Sequence, residues 1–272
     1  MSDTREARSV VVRRTQQARQ AAIVELVLRR GSVGMEDICN HVGVSVMTVY
    51  RDISALEEAG LLQRDRGRVT AVASGLHEAS AAFRLEQLPE VKAALADVVA
   101  PRIKPGSSLM LDDSTSGILV LRALRPDIRL TVITNSLLVA RETNAMPNVK
   151  LFMTGGEYQG WADALMGPTA LRTLSDLDAD FCVLSASGLE GGRCFHPYED
   201  VAAVKQAMMQ VSRFSILLLD NAKLHRHALH SFARLKDFDL VVVDGQTSPT
   251  DLAQLKDWEA NVEVAKGPHR MR

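Results

Sequence analysis

Residues 18 to 29 read ARQAAIVELVLR, and Ile23, Val24, Leu26 and Val27 fall at helical spacing before Gly31 ends the pattern. After the GSVG break, MEDICNHV sets Met35, Ile38 and Val42 on one stripe and predicts a second helix closed by Gly43. Ser45 reads as the N-cap of a third helix, in which Val49, Ile53 and Leu56 stand at i, i+4 and i+7 and form the face turned to a core. The opposite face carries Met47, Thr48, Tyr50 and Arg51 near its start and Glu57 and Glu58 near its end. LLQRDRGRVTAV then reads as a hairpin: Leu61 and Leu62 enter it, RDRG turns, and Val69 and Val72 lie on the return strand. Two short helices across a glycine-containing turn, followed by a hairpin, predict a winged helix-turn-helix whose third helix enters a DNA groove by its N-terminus.

Further on the texture changes. Residues 74 to 100 are Ala-rich and mostly helical in pattern, with Pro89 as a break or helix start, and read as a connector plus the first helix of a new domain. From Pro105 short apolar runs alternate with helical segments, the pattern of βαβ units around a mainly parallel sheet. Strands are expected at SSLMLDD, LTVITNS, VKLFMTG, FCVLSAS, SILLLD, LVVVDG and VEVA, in one three-layer, Rossmann-like α/β domain. The expected organisation is a winged helix-turn-helix over residues 1–73, a helical linker over 74–104 and a ligand-binding domain over 105–272.

Open α/β sheets bind ligands beyond the carboxyl ends of their strands, near a switch in strand order. Those ends are polar here. The first strand ends in Asp112-Asp113-Ser114-Thr115-Ser116-Gly117, the second in Thr134-Asn135-Ser136 and the third in Thr154-Gly155-Gly156-Glu157. The fourth ends in Ser185-Ala186-Ser187-Gly188 and the fifth in Asp220-Asn221-Ala222-Lys223. Ser114, Thr115 and Ser116 open a helix, where backbone N–H groups and the helix dipole favour an anion, and Lys223 brings a compact positive charge from another strand end. A single Ser or Thr after a strand is usually only a helix cap. Coincidence at five ends points to a site.

Composition narrows the class. With 46% hydrophobic residues the chain can bury a substantial core, and it has no run of about 18 apolar residues to span a bilayer. The first residues lack the apolar core of a secretory signal, so a cytoplasmic location is expected. Cys39, Cys182 and Cys194 form no CxxC pair, which argues against a disulfide framework and a structural zinc, and no cofactor is expected. His225, His227 and His230 in LHRHALH look like a metal cluster, but neither strand nor helix brings all three together, so an exposed polar turn is the better reading. Trp161, after the Gly-Gly-Glu strand end, reads either as a ligand lid or as a buried anchor at a subunit contact.

Charge is informative by its distribution. The net charge is -1, yet residues 1–75 hold eleven Arg and no Lys against nine Asp plus Glu. Four of these arginines, Arg51, Arg64, Arg66 and Arg68, lie within residues 45 to 68. On a wing, guanidinium groups reach phosphates or a narrow minor groove.

Residues 31 to 60, GSVGMEDICNHVGVSVMTVYRDISALEEAG, resemble the N-terminal signature of the DeoR family of bacterial transcriptional regulators. The family's Thr-Ile-Arg-Arg-Asp-Leu hexad stands here as Thr48, Val49, Tyr50, Arg51, Asp52 and Ile53, with Tyr50 in place of an Arg, and RDRGRVTA replaces the family's His-Gly-Gly-Ala wing. MLDDSTS, VITNSLLVA, MTGGE, LSASGL, EDVAAVKQAMMQVSR and LLLDNAK resemble, in order, that family's effector-binding domain, whose fold is shared with ribose-5-phosphate isomerase, glucosamine-6-phosphate deaminase and CoA transferases.

The resemblance covers nearly the whole chain and implies a repressor of a carbohydrate-catabolism operon; because helix-turn-helix dimers read half-sites spaced by helical turns, a homodimer or homotetramer is expected. It would bind double-stranded operator DNA through Ser45, Met47, Thr48, Tyr50, Arg51 and the wing arginines, under control of a small phosphorylated sugar. By the resemblance the effector residues include Asp112, Ser114, Thr115, Ser116, Asn135, Gly155, Gly156, Glu157 and Ser187, with Glu199, Lys205 and Lys223. Ser114 and Ser185 stand where the family has glycine. The alternative is a sugar-phosphate isomerase or deaminase, in which Glu199 shuttles a proton and Lys223 stabilises an enediolate.

Overall fold

Ile23, Leu26, Val33, Ile38, Val49, Ile53, Leu56, Leu62 and Val69 are almost fully buried and close a small core around three helices and a three-stranded sheet. They belong to the first of two compact units in a computed structural model, residues 1–74 and 75–272, of which residues 16–30, 32–71 and 78–267 are described. The first unit runs α1 Gln16–Arg30, β1 Ser32–Gly34, α2 Met35–Val42, α3 Val46–Glu58, β2 Leu62–Asp65 and β3 Arg68–Ala71. Gly43, at φ 70°, closes α2 in the left-handed conformation that ends helices cheaply only at glycine. Within that break Ser32–Gly34 form a strand: β1 pairs antiparallel with β3, and β3 with β2. Val72 and residues 74–77 of the expected linker lie outside the described residues.

One ion pair holds this unit together from inside. The Asp52 carboxylate, on α3, accepts Arg19 Nε at 2.5 Å and Nη2 at 3.0 Å, with Gln20 Nε2 at 3.5 Å. Asp52, within the hexad that carries the family resemblance, therefore faces α1 and not solvent.

The second unit runs α4 Ala81–Glu86, α5 Pro89–Val99, β4 Ser108–Leu111, α6 Thr115–Ala123, β5 Leu130–Thr134, α7 Leu137–Thr143, β6 Val149–Met153, β7 Glu157–Gln159 and β8 Ala164–Met166. It continues with α8 Pro168–Ser175, β9 Ala179–Ser185, β10 Gly188–Glu190, β11 Arg193–His196, α9 Glu199–Gln210, β12 Ser212–Leu219, β13 His230–Arg234, β14 Leu240–Val243, α10 Pro249–Asp257 and β15 Val262–Val264. Seven strands form one sheet in the order β15-β14-β12-β9-β4-β5-β6, parallel throughout. These are the seven runs expected from the sequence.

Alternating side chains go to opposite cores, as a sheet covered on both faces requires. Cys182, Leu184, Leu217 and Leu219 join the core with α8 and α9, while Val183, Ile216 and Leu218 join the core with α5 and α6. Leu95 and Val99 on α5 belong to that second core, so this part of the expected linker is integral to the sheet unit. The β7–β8 hairpin and the β10–β11–β13 sheet were not foreseen. Their strands have three to five residues each, too short to show an alternation.

The chain builds β4, β5 and β6 outward in one direction and then returns to add β9, β12, β14 and β15 on the other side of β4. The switch point is therefore the gap beyond the carboxyl ends of β4 and β9, where an open sheet presents its crevice.

Candidate DNA-reading surface and ligand crevice

The Ser45 hydroxyl accepts the Thr48 N–H at 3.4 Å and lies 3.0 Å from the Thr48 hydroxyl, a cap worth about 1 kcal/mol that fixes the start of α3. The first turns of α3 then hold Met47 and Tyr50 out of the core, 66% and 40% exposed, with Arg51 also exposed. Large apolar side chains held in water at a helix start are costly unless a partner covers them.

The three wing arginines divide by role. Arg64, on β2, donates its backbone N–H to Glu57 Oε1 at 2.7 Å, pairs with Glu57 Oε2 at 3.3 Å and stands 5.2 Å above the Tyr50 ring. It ties the wing to α3. Arg68 donates Nε to Ser32 Oγ at 2.8 Å and Nη2 to the Ser32 carbonyl at 2.9 Å, so it is turned back onto β1. Arg66 sits in the turn with φ 46°, followed by Gly67 at 78°, the all-positive pair of a tight hairpin turn. Among the described residues Arg66 and Arg51 carry no ion pair, which leaves their charges for an outside partner.

In the second unit Asp112 and Asp113 follow β4, and both carboxylates are buried. Lys205, buried on α9, makes a very short contact with Asp112 Oδ2, and its Nζ stands 3.6 Å from Asp113 Oδ1. Burial opposes the charge of each member. The two aspartates nevertheless raise the Lys205 pKa, and Lys205, Arg84 and His196 hold Asp113 down at about 2. Lys205 and Arg84 thus balance the two carboxylates at the floor of the crevice.

The expected anion loop follows. Ser114 N–H donates to Asp112 Oδ1 at 2.9 Å, leaving the Ser114 hydroxyl at the N-terminus of α6, buried and without a hydrogen-bond partner among the described residues. Capping does not explain it, because Ser114 makes no side-chain cap bond. Ser136 and Ser248 do cap their helices, through Val139 N–H at 3.4 Å and Asp251 N–H at 3.1 Å. Ser116 is buried in the first turn of α6.

Asn135 Nδ2 donates to the Leu165 carbonyl at 3.1 Å, while its Oδ1 is buried and unpartnered. Gly156, at φ 124°, lies where a Cβ would stand 2.4 Å from the Met166 carbonyl, so only glycine lets the β7–β8 hairpin close. Gly155 is also left-handed, at φ 70°, and Glu157 opens β7 exposed.

Lys223 pairs with Asp220 at 3.5 Å. Burial, with Lys223 and Arg84 close by, pushes the Lys92 amine down to about 7. Glu199 is exposed at the first position of α9, and among the described residues it forms no ion pair with Lys223.

Sequence reasoning missed what covers this floor. Arg84, on α4, donates Nη2 to Asp113 Oδ2 at 3.2 Å, lies 5.8 Å over the Trp161 ring, and accepts the Thr115 hydroxyl on its own carbonyl at 3.4 Å. Ser187, after β9, donates its hydroxyl to Glu78 Oε2 at 2.5 Å. The Ala81 N–H bonds the Trp161 carbonyl at 2.7 Å, and Trp161 packs on His196 and Tyr198 at 6.2 and 4.6 Å. Burial, with Lys205 adding to it, lowers His196 to about 4, so this imidazole is neutral at physiological pH. A helix that looked like a connector gives no local sign that its Arg reaches a strand end.

The histidines of LHRHALH separate: His225 pairs with Asp251 at 3.0 Å, His227 with Glu190 at 2.8 Å, and His230 opens β13. A cleft of about 460 Å³ lined by Asp97, Ile103, Lys104, Leu124 and Arg125 lies at the opposite, amino ends of β4 and β5. Among the described residues no helix is long and apolar enough to cross a membrane.

A winged helix-turn-helix and a separate parallel-sheet unit with a polar crevice at its switch point together define a DNA-binding transcriptional regulator with a ligand-sensing unit. Residues 19–74 match the DeoR-like helix-turn-helix domain, and residues 87–245 match the DeoR C-terminal sensor domain. The chain belongs to the DeoR family. It is 32% identical over 234 residues to the transcriptional repressor AccR of Agrobacterium fabrum, covering 85% of this chain and 90% of that protein. It is 28% identical over 251 residues to the glycerol-3-phosphate regulon repressor of Escherichia coli, covering 92% and 99%. Among solved structures, the full-length sorbitol operon regulator SorC of Klebsiella pneumoniae matches at 11% identity and TM-score 0.38, over 87% of this chain and 97% of that one.

Proposed function

We propose that this protein is a cytoplasmic, homo-oligomeric repressor of a carbohydrate-catabolism operon, released from its operator when a small phosphorylated metabolite enters the crevice. The observation that carries the ligand reading is the Ser114 hydroxyl, buried and unpartnered at the N-terminus of a nine-residue helix at the sheet's switch point. A phosphate there meets backbone N–H groups and the positive helix end, and needs no further cofactor. Thr115 and Ser116 supply hydroxyls, and Asn135 Oδ1 accepts from a sugar hydroxyl. Lys223 adds charge. The relatives named as repressors, one of a glycerol-3-phosphate regulon, support both the sign of control and the ligand class.

Control is linkage: effector and operator favour different arrangements, and each weakens the other by the same factor, typically 1–3 kcal/mol. A thermal-shift panel of sugar phosphates, sugar acids and polyol phosphates on the full chain tests the ligand class, since a specific ligand stabilises by mass action. Thr115→Ala or Lys223→Ala is expected to keep operator binding and abolish release. A variant that still lets go at the wild-type effector concentration sinks the phosphate assignment.

On the DNA side Arg51→Ala is expected to lose operator preference, at a cost of about 1–3 kcal/mol for operator alone, if Arg51 reads a base edge. Arg66→Ala should weaken all sequences alike and lower the salt slope by about 1. Gel-shift titrations at two salt concentrations separate the two; equal loss on operator and random DNA in Arg51→Ala contradicts base reading.

A further inference from the structure

Two polar atoms at the strand ends, Ser114 Oγ and Asn135 Oδ1, are buried and without a hydrogen-bond partner among the described residues. They want a ligand but are shut from solvent. Over Asp113 and the start of α6 lies the segment from Glu78 through α4. Its Arg84 lies across Asp113 and Trp161, its Arg84 carbonyl takes the Thr115 hydroxyl, and its Ala81 N–H is bonded to the β7–β8 hairpin at Trp161.

Within that segment Glu78 occupies a position built for an anion. Its Oε2 accepts the Ser187 hydroxyl at 2.5 Å, at the end of β9, and its Oε1 stands 4.0 Å from Arg84 Nε. Burial works against its charge, but Arg84, His196 and Arg226, with the Ser187 hydroxyl, hold the carboxyl below its usual range. The Arg226 backbone closes on β10 because residue 188 is glycine: a Cβ there would stand 2.1 Å from the Arg226 carbonyl, which accepts the Leu189 N–H at 3.1 Å.

We propose that Glu78 is a resident anion that the effector must displace: its carboxylate holds the place at Ser187 and Arg84 that the ligand's phosphate takes, and binding expels the 78–86 segment. The inference rests on the phosphate reading of this same crevice. A dianionic phosphate offers more acceptors to Arg84 and Ser187 than a carboxylate does, so exchange favours it. Once Glu78 leaves, the Ala81 and Arg84 contacts that pin the segment are strained, and the floor atoms open. The segment resembles a tethered competitor, whose removal raises apparent affinity by the fraction of time it closes the site.

Calorimetric titration of the full chain with inorganic phosphate, and in parallel with glycerol 3-phosphate, tests this in wild type, Glu78→Gln, and Thr115→Ala in each background. Glu78→Gln is expected to tighten phosphate binding about tenfold, with Thr115→Ala abolishing it in both. Amide hydrogen exchange on the unmodified protein gives a second reading: at saturation the Ala81 amide should lose protection. Unchanged affinity in Glu78→Gln, with Thr115→Ala still abolishing binding, overturns the resident-anion inference and leaves the crevice reading standing. No binding of either anion by wild type or Glu78→Gln overturns both. Should Glu78→Gln fail to fold, an Ala81 amide as protected with phosphate as without it overturns the displacement.

Discussion

Lys205→Met is expected to cost the sensing unit about 3–5 kcal/mol, because it removes one member of a buried ionic cluster and leaves the other charges unpaired. Methionine keeps most of the volume against Phe232, whose ring centroid lies 6.0 Å from Lys205 Nζ, so the loss is electrostatic and not a cavity. What remains is Asp112 and Asp113, both buried, facing each other's charge with only Arg84 to offset it. The pH dependence carries the sign. Asp113, depressed to about 2, contributes stability that is present above its unfolded pKa near 3.9 and lost as pH falls toward 2. Lys205, raised, contributes stability that is full below its unfolded pKa near 10.4 and lost only as pH rises through its folded value. Wild type therefore keeps both contributions at neutrality.

In the variant Asp113 loses the cation that holds its pKa down, so its carboxyl protonates at a higher pH and mild acid relieves the orphaned charge. Urea midpoints should differ most at pH 7 and converge toward pH 5, and Asp112→Asn added to Lys205→Met should recover part of the loss. A gap between wild type and variant that stays constant with pH would show the lysine to be mere packing.

Asp52→Ala is the second large effect, about 3 kcal/mol, and it falls on the other unit. Arg19 Nε and Nη2 both end on this carboxylate, whose side chain is 2% exposed, so its removal strands a guanidinium between α1 and α3. The core there is small, and stability of this size is a large share of what such a unit has. Amide exchange on the full chain should show protection lost in α1 and α3 with β9 and β12 unchanged, and operator affinity should fall with the folded fraction. Normal protection in α1 and α3, with DNA binding lost, would instead move Asp52 to the DNA surface.

The contrast explains how much was legible in the sequence. Periodicity locates Val49, Ile53 and Leu56 on the buried face of α3, because a helix repeats its neighbours every three or four residues. The seven strands are legible because a parallel sheet covered on both faces needs near-continuous apolar runs, as in SILLL and LVVV. The switch-point floor was legible too, since a polar residue after such a run is out of place unless it serves the crevice. Nothing local marks Asp52 as a buried ion-pair partner, because Arg19 lies 33 residues back, in another helix. Glu78 and Arg84 were read as linker for the same reason: Ser187 is 109 residues from Glu78, and Asp113 is 29 from Arg84. Contacts at such separations leave no local period. The division of the wing arginines was equally hidden, since Arg68 finds Ser32 only once β1 pairs with β3.

Cys182 and Cys194 are fully buried in the sensing unit, and burial pushes the Cys182 thiol up to about 12 and raises the Cys194 thiol as well. Nucleophilic sulfur is the thiolate, so these two side chains present nothing for peroxide or an alkylating reagent to attack. Oxidants therefore find no reactive sulfur at these two positions of the sensing unit.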